Sequence, residues 1–190
     1  MALQIADKYY LKAKDSVCYD WEEACDSLNY AISYDEAHCP SLTLLGIIYA
    51  KYLHNLEEAF MYFDKVIETD SNYIEVYPEY IKALIWADEL ERAQKIIDFS
   101  LKIKAIDKAM VLWNQAIIYE IKEAYKDGIK SIKEAKKFTY NDGYRSFLNN
   151  EKTRLKNKIE EASPKKKKKS KKKKKKEAKT SKTDSKKSKK

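Results

Sequence analysis

The side chains of this 190-residue sequence with chemistry to offer are few: two histidines, three cysteines and some adjacent acid pairs. General-base chemistry needs an imidazole held between a nucleophile and an orienting acid, or a metal ion. Neither His38 nor His54 has such residues at a familiar spacing, and both read as surface histidines, His54 in a turn. Cys18, Cys25, His38 and Cys39 have the ligand types of a zinc site but lack the paired spacing that structural zinc requires. They read instead as reduced, buried thiols beside a histidine. The pairs Glu22-Glu23 and Glu57-Glu58 are adjacent, so on a helix they point about 100° apart and cannot share one task. Acids in a first helical turn complement the helix dipole, which explains them without catalysis. The expectation is no catalytic residue, no metal or other cofactor, no small-molecule substrate, and no enzyme.

The strongest compositional signal lies elsewhere. From Pro164 to Lys190 there are 17 lysines, two acids and no aromatic, giving +15, while the preceding 163 residues carry 22 basic and 28 acidic side chains, giving −6. This is an acidic body with a basic tail. Its densest part is Lys165, Lys166, Lys167, Lys168 and Lys169, then Lys171, Lys172, Lys173, Lys174, Lys175 and Lys176. With nothing to bury, residues 163–190 are expected to be a disordered, lysine-rich tail. Lysine supplies positive potential but no bidentate fork for reading bases, so binding to a polyanion would be electrostatic and sequence-tolerant. RNA, a ribosome and an anionic membrane surface all meet that description. In a nucleated cell the same run could act as a nuclear import signal.

The elements that carry these groups follow from composition and period. Three Gly and three Pro are far below common usage, which argues against turn-rich all-β folds and Gly-rich phosphate loops. The longest stretch without a formal charge, Ala37 to Ala50, is 14 residues and too short to span a bilayer. The start lacks the long apolar run of a secretory signal, so a cytoplasmic location is expected.

The chain also repeats itself. Leu42, Leu45, Gly46, Tyr49, Leu56, Ala59, Phe63 and Val66 recur, about 35 residues on, as Tyr77, Tyr80, Ile81, Leu84, Leu90, Ala93, Ile97 and Ser100. They recur again as Leu112, Gln115, Ala116, Tyr119, Tyr125, Gly128, Ile132 and Ala135, and Trp21, Ala24, Leu28 and Ala31 match the second half of a first unit. Three- and four-residue spacing puts each set on one helix face. Each unit therefore reads as two amphipathic helices, with turns expected at His54-Asn55, Asp88-Glu89 and Lys126-Asp127. Small residues, Gly46 with Ala59 and Ala116 with Gly128, mark where paired helices cross. Pro78 makes the first helix of the third unit start late or kink. In the first unit the stripe Leu3, Ala6, Tyr9, Tyr10 and Ala13 fits with about two extra residues in the loop. Asn141-Asp142-Gly143 reads as a turn, followed by a final helix with Tyr144, Phe147, Leu148, Leu155 and Ile159 on its apolar side, ended by Ser163-Pro164.

These residues resemble the tetratricopeptide repeat (TPR), a 34-residue helix-turn-helix unit with the pattern W-x2-L-G-x2-Y, then A-x3-F, A and P. Leu45-Gly46-x2-Tyr49 followed by Ala59-x3-Phe63 carries the match, and the resemblance covers about Asp20 to Phe138. It implies an all-α, right-handed α-solenoid of about four repeats, with units near 2–38, 39–73, 74–108 and 109–142, a C-terminal capping helix over 143–162 and one folded domain over 1–162.

In TPR proteins the first helices line a concave surface that receives peptides. By position this implies Thr43, Ile47, Ala50 and Lys51 in the second unit, Pro78, Lys82, Ile85 and Trp86 in the third, and Trp113, Ile117 and Glu120 in the fourth. Where the family's carboxylate clamp uses a set of Lys, Asn and Arg, this chain holds Thr43, Ile47, Pro78 and Lys82, so the clamp is not expected. The groove suits an apolar or helical protein segment. The expected function is a non-catalytic adaptor with a polybasic tether; the rival is an RNA- or ribosome-associated factor in which the tail is the main binding element.

Overall fold

The computed structural model describes residues 4–162. Among them are nine helices and no strand: α1 (Ile5–Ser16), α2 (Trp21–Tyr34), α3 (Cys39–Lys51), α4 (Leu56–Thr69), α5 (Val76–Trp86), α6 (Leu90–Ser100), α7 (Lys108–Ile121), α8 (Tyr125–Ala135) and α9 (Asp142–Ala162). They pair as consecutive hairpins, α1 with α2 through α7 with α8, and α9 packs on α8. The first helices α1, α3, α5 and α7 also touch in succession, so they form one continuous layer through the stack.

The buried residues are those of the repeating stripe. Leu42, Leu45, Ala59, Phe63 and Val66 are buried, as are Tyr77, Tyr80, Ile81, Leu84, Ala93 and Ile97 in the next hairpin. Their second-helix spacing leaves charged residues on the opposite face, which is why α4, α6 and α8 stay helical against a core on one side and water on the other. Two buried tyrosines need partners for their hydroxyls. Tyr77 donates to the Ser71 carbonyl at 2.5 Å, and Tyr80 donates to Asp64 Oδ1 at 2.5 Å. Arg92 of α6 grips the other oxygen of Asp64 at 2.6 Å while its guanidinium lies over the Phe60 and Tyr80 rings. One carboxylate thus joins α4, α5 and α6.

Hairpin turns are made without glycine. Asp88 and Glu123 adopt positive φ, 60° and 55°, directly after α5 and α7. The following amides, Glu89 N–H and Ala124 N–H, donate back to the Leu84 and Tyr119 carbonyls. That is a Schellman closure, which satisfies carbonyls the helix end leaves open. His54 (φ 52°) has the same role after α3, in a longer linker. The turn expected at Lys126-Asp127 is therefore at Lys122 to Ala124, and both of those residues lie in the first turn of α8. Asp20 and Asn55 cap α2 and α4, accepting from the Glu23 and Glu58 amides. The linkers Val17–Asp20 and Tyr52–Asn55 are equally long, so the first unit has no insertion.

Pro78 is the third residue of α5, where its missing N–H would have had no helical partner, and the helix proceeds through it. The final helix starts at Asp142, two residues before the expected Tyr144, and Asn141 of the expected turn caps it, accepting from Tyr144 N–H at 2.9 Å. Gly128 brings α8 against α7: a Cβ there would sit 3.2 Å from the Ala116 carbonyl oxygen. At Gly46 a Cβ would sit 2.5 Å from the Phe63 ring of α4. Of the thiols, Cys39 is buried, Cys25 half-buried and Cys18 exposed, so burial holds for one of three. Leu3 and all the tail lysines, Lys165 to Lys176 included, lie outside the described residues, as does Ser163-Pro164.

Candidate functional site

The first-helix layer presents its residues in rows, because α3, α5 and α7 are offset by one repeat. The innermost row is Thr43, Pro78 and Trp113; the first two are buried and Trp113 is half-buried. Ile47, Lys82 and Ile117 form a half-buried second row, with Lys82 paired to Glu79 at 2.7 Å. The third row is Ala50, Ile85 and Glu120. The fourth, Lys51, Trp86 and Ile121, is exposed throughout, and Trp86 shows 57% of its surface.

A cavity of about 490 Å³ opens where this outer row begins, lined by Ala50, Lys51, His54, Leu56 and Trp86. It brings three of the expected groove residues together at the ends of α3 and α5. His54 joins them from the α3–α4 linker and Leu56 from the start of α4. Their presence follows from the left-handed conformation at His54, which turns the chain back beside the end of α3. Any residue at the helix-ending position of a repeat flanks the first-helix face, and that is the sequence signal for His54. The Lys51 ammonium lies 5.3 Å over the Tyr52 ring, so its charge sits at the rim of a mainly apolar recess.

The other end of the layer is occupied. Trp113 meets Phe147 of α9 edge-on, with ring centroids 5.3 Å apart, and Tyr144 stacks on Phe147. Glu120, whose side chain is 12% exposed, accepts from Arg154 Nη2 at 2.7 Å and from Lys158 Nζ at 2.5 Å. Burial pushes the Glu120 carboxyl up, but the hydrogen bonds from Arg154 and Lys158 outweigh it and hold the group below its ordinary value. Arg154 also pairs with Glu151 one turn earlier on α9.

One constellation is not legible from spacing. His38 Nδ1 lies 2.8 Å from Ser41 Oγ and its Nε2 lies 3.2 Å from Asp7 Oδ1, an arrangement of the Ser-His-Asp type. Far from being a surface residue, His38 is buried. Ser41 is 0% exposed within α3, so a substrate carbonyl has no path to its oxygen. The chain of contacts ties α1 to the start of α3. Among the described residues no group of three or more His, Cys, Asp or Glu side chains could hold a metal ion, and no helix is long and apolar enough to cross a membrane.

No protein-family model matches the chain, and no curated protein matches it in sequence. Solved structures do match. A thermophilic TPR protein of Thermus thermophilus superposes with a TM-score of 0.65 at 11% identity, over 80% of this chain and 81% of that one. MamA from Desulfovibrio magneticus RS-1, residues 41 to its end, gives 0.62 at 19% identity, over 84% and 92%. The fold is thus that of the TPR proteins, a right-handed α-solenoid of helix hairpins with a final helix closing its C-terminal end. Such identities define the fold and leave the occupant of the groove to its own side chains.

Proposed function

We propose that the protein is a non-catalytic adaptor: the first-helix face binds an apolar or helical segment of another protein, and the lysine-rich tail tethers the complex to a polyanion. In this reading residues 1–162 act as one repeat domain, and Lys165 to Lys176 are the densest part of the tether. The observation that carries the groove is the recess lined by Ala50, Lys51, His54, Leu56 and Trp86, with a large aromatic standing open beside it. A half-exposed tryptophan on a rigid helix is the kind of side chain that dominates binding energy at interfaces. Ile47, Ile85 and Ile117 continue an apolar track along the layer, broken by Lys82.

Crosslinking pull-downs from source cells, with nuclease and a salt series, test this. The comparison is between the full chain, a Trp86→Ala variant and a chain ending at Ala162. The adaptor reading expects the same proteins from the first and third after nuclease, and at least a tenfold drop in their recovery with Trp86→Ala, as for a hot-spot residue. If recovery vanishes with the tail or with nuclease, the tail is the main binding element and the chain is an RNA- or ribosome-associated factor.

A further inference from the structure

The charge of the folded body is polarised along the stack. Residues 1–75 carry five basic and 14 acidic side chains, net −9, whereas residues 76–162 carry 17 basic and 14 acidic, net +3. The excess positive charge gathers on one face. Lys133 of α8 and Lys136, which caps the C-terminus of α8, lie opposite Lys152 and Lys156 of α9, since Lys136 Nζ donates across the helix pair to Asn149 Oδ1 at 2.6 Å. On α9, Arg145, Asn149, Lys152 and Lys156 follow at four, three and four residues, which is a single stripe. Among the described residues Lys133, Lys152 and Lys156 have no ion-pair partner, although neighbouring Lys130, Lys137, Arg154 and Lys158 all do. The Lys152 ammonium is held below its ordinary pKa by Lys136 first, then by partial burial, Lys156 and Lys133. Unpaired like charges kept this close destabilise a fold unless an anion joins them.

The end of the stripe adds rings. Tyr140, in the α8–α9 linker, is 96% exposed, and it lines a recess with Lys104, Asp107, Lys108, Phe138 and Asn141, in which two lysines outweigh one acid. The Lys108 ammonium sits 5.4 Å over the Phe138 ring. We propose that the α8–α9 face is a binding site for single-stranded nucleic acid, with Lys133, Lys136, Lys152 and Lys156 on the phosphates and Tyr140 as a stacking platform. A narrow basic stripe ending in an exposed ring and an amide fits a linear chain of phosphates and bases. A bilayer would call for a broad face with aliphatic anchors. The proposal extends the tether of the adaptor reading from the tail to the body, and it rests on that reading's polyanion.

The test uses the full chain and a fluorescent 20-mer of oligouridylate, with phosphatidylserine vesicles as the second probe. The Lys133→Gln/Lys152→Gln/Lys156→Gln triple variant should bind the oligonucleotide about tenfold more weakly at 100 mM salt. Its salt slope should fall by about 2, from ~0.7 per phosphate on a single strand. Tyr140→Ala should weaken binding several-fold with the slope unchanged, as loss of stacking does. The arginine triple at the same positions should restore binding, and melting of the glutamine triple should hold or rise because repulsion is removed. If the glutamine triple matches the wild type within twofold, the α8–α9 site is wrong while the tail tether stands. If the wild-type chain does not bind the oligonucleotide at 50 mM salt, this site is overturned, and a wild type that also ignores the vesicles overturns the tether with it. A loss seen only on vesicles assigns the face to lipid and overturns the nucleic-acid site.

Discussion

Trp86 and Trp113 stand on successive first helices of one layer, and the repeat position assigns both to the proposed groove, yet they meet opposite fates. Trp86 closes α5 with more than half its surface open, beside the recess at Lys51 and His54. Trp113 lies under the rings of α9, its Nε1 buried without a hydrogen-bond partner. The difference comes from the next element along the stack. At Trp86 the chain turns away through the Schellman closure at Asp88, whereas α9 packs back onto the last hairpin and seats Phe147 on Trp113. An open array end must be sealed, and here the seal covers Trp113 at one end of the first-helix layer.

The largest expected effect separates the two rings directly. Trp113→Ala should cost about 2 to 4 kcal/mol, since it empties a partly enclosed site under α9. Trp86→Ala should cost about 1 kcal/mol or less, because most of that side chain already faces water. Urea denaturation with unchanged m-values reads both. Equal losses would mean that the two ends of the groove are not distinguished by packing at all.

The next contrast is between the two helix-crossing glycines. Gly46→Ala places a Cβ 2.5 Å from Cε1 of a fully buried Phe63 ring, and should cost about 1 to 3 kcal/mol through forced repacking. Gly128→Ala meets Cδ1 at the tip of the Leu155 side chain at 3.0 Å and the Ala116 carbonyl oxygen at 3.2 Å. Its helix-propensity gain of about 1 kcal/mol offsets much of that strain. Gly128→Ala should therefore leave the melting temperature nearly unchanged while raising amide exchange in α9. A melting point lowered as far as that of Gly46→Ala would show that the cap is as rigid as the central hairpins.

The central hairpins are the legible part of the sequence. Ala59, Phe63 and Val66 and their counterparts one repeat on are buried because period and small-residue placement depend only on local helix geometry. What stays hidden depends on tertiary approach or on special backbone. No Gly or Asn announces the left-handed residues Asp88 and Glu123, so the last hairpin turn falls a few residues before the position that spacing suggests. His38 takes its acid from Asp7, 31 residues upstream on another helix. The α9 ion pair had a readable signal after all: Arg154 is 34 residues after Glu120, the stride of the repeat, because the cap packs where a further first helix would.

That ion pair provides the smallest and sharpest test. Glu120→Gln removes the charge that Arg154 and Lys158 share, at about 1 kcal/mol once the exposure of the two cations is discounted. The wild-type contribution carries its own pH signature. The folded carboxyl titrates below the unfolded value of about 4.3, so its stabilisation is complete above that value and disappears as pH falls through the folded pKa. Between pH 6 and pH 3 the wild type should thus lose more stability than Glu120→Gln, with the excess concentrated in exchange of the α9 amides. Parallel pH curves for the two proteins would show that α9 is held by Leu148, Leu155 and the rings alone. Trp113 would then be shielded by apolar packing, and acid could not uncover that end of the groove.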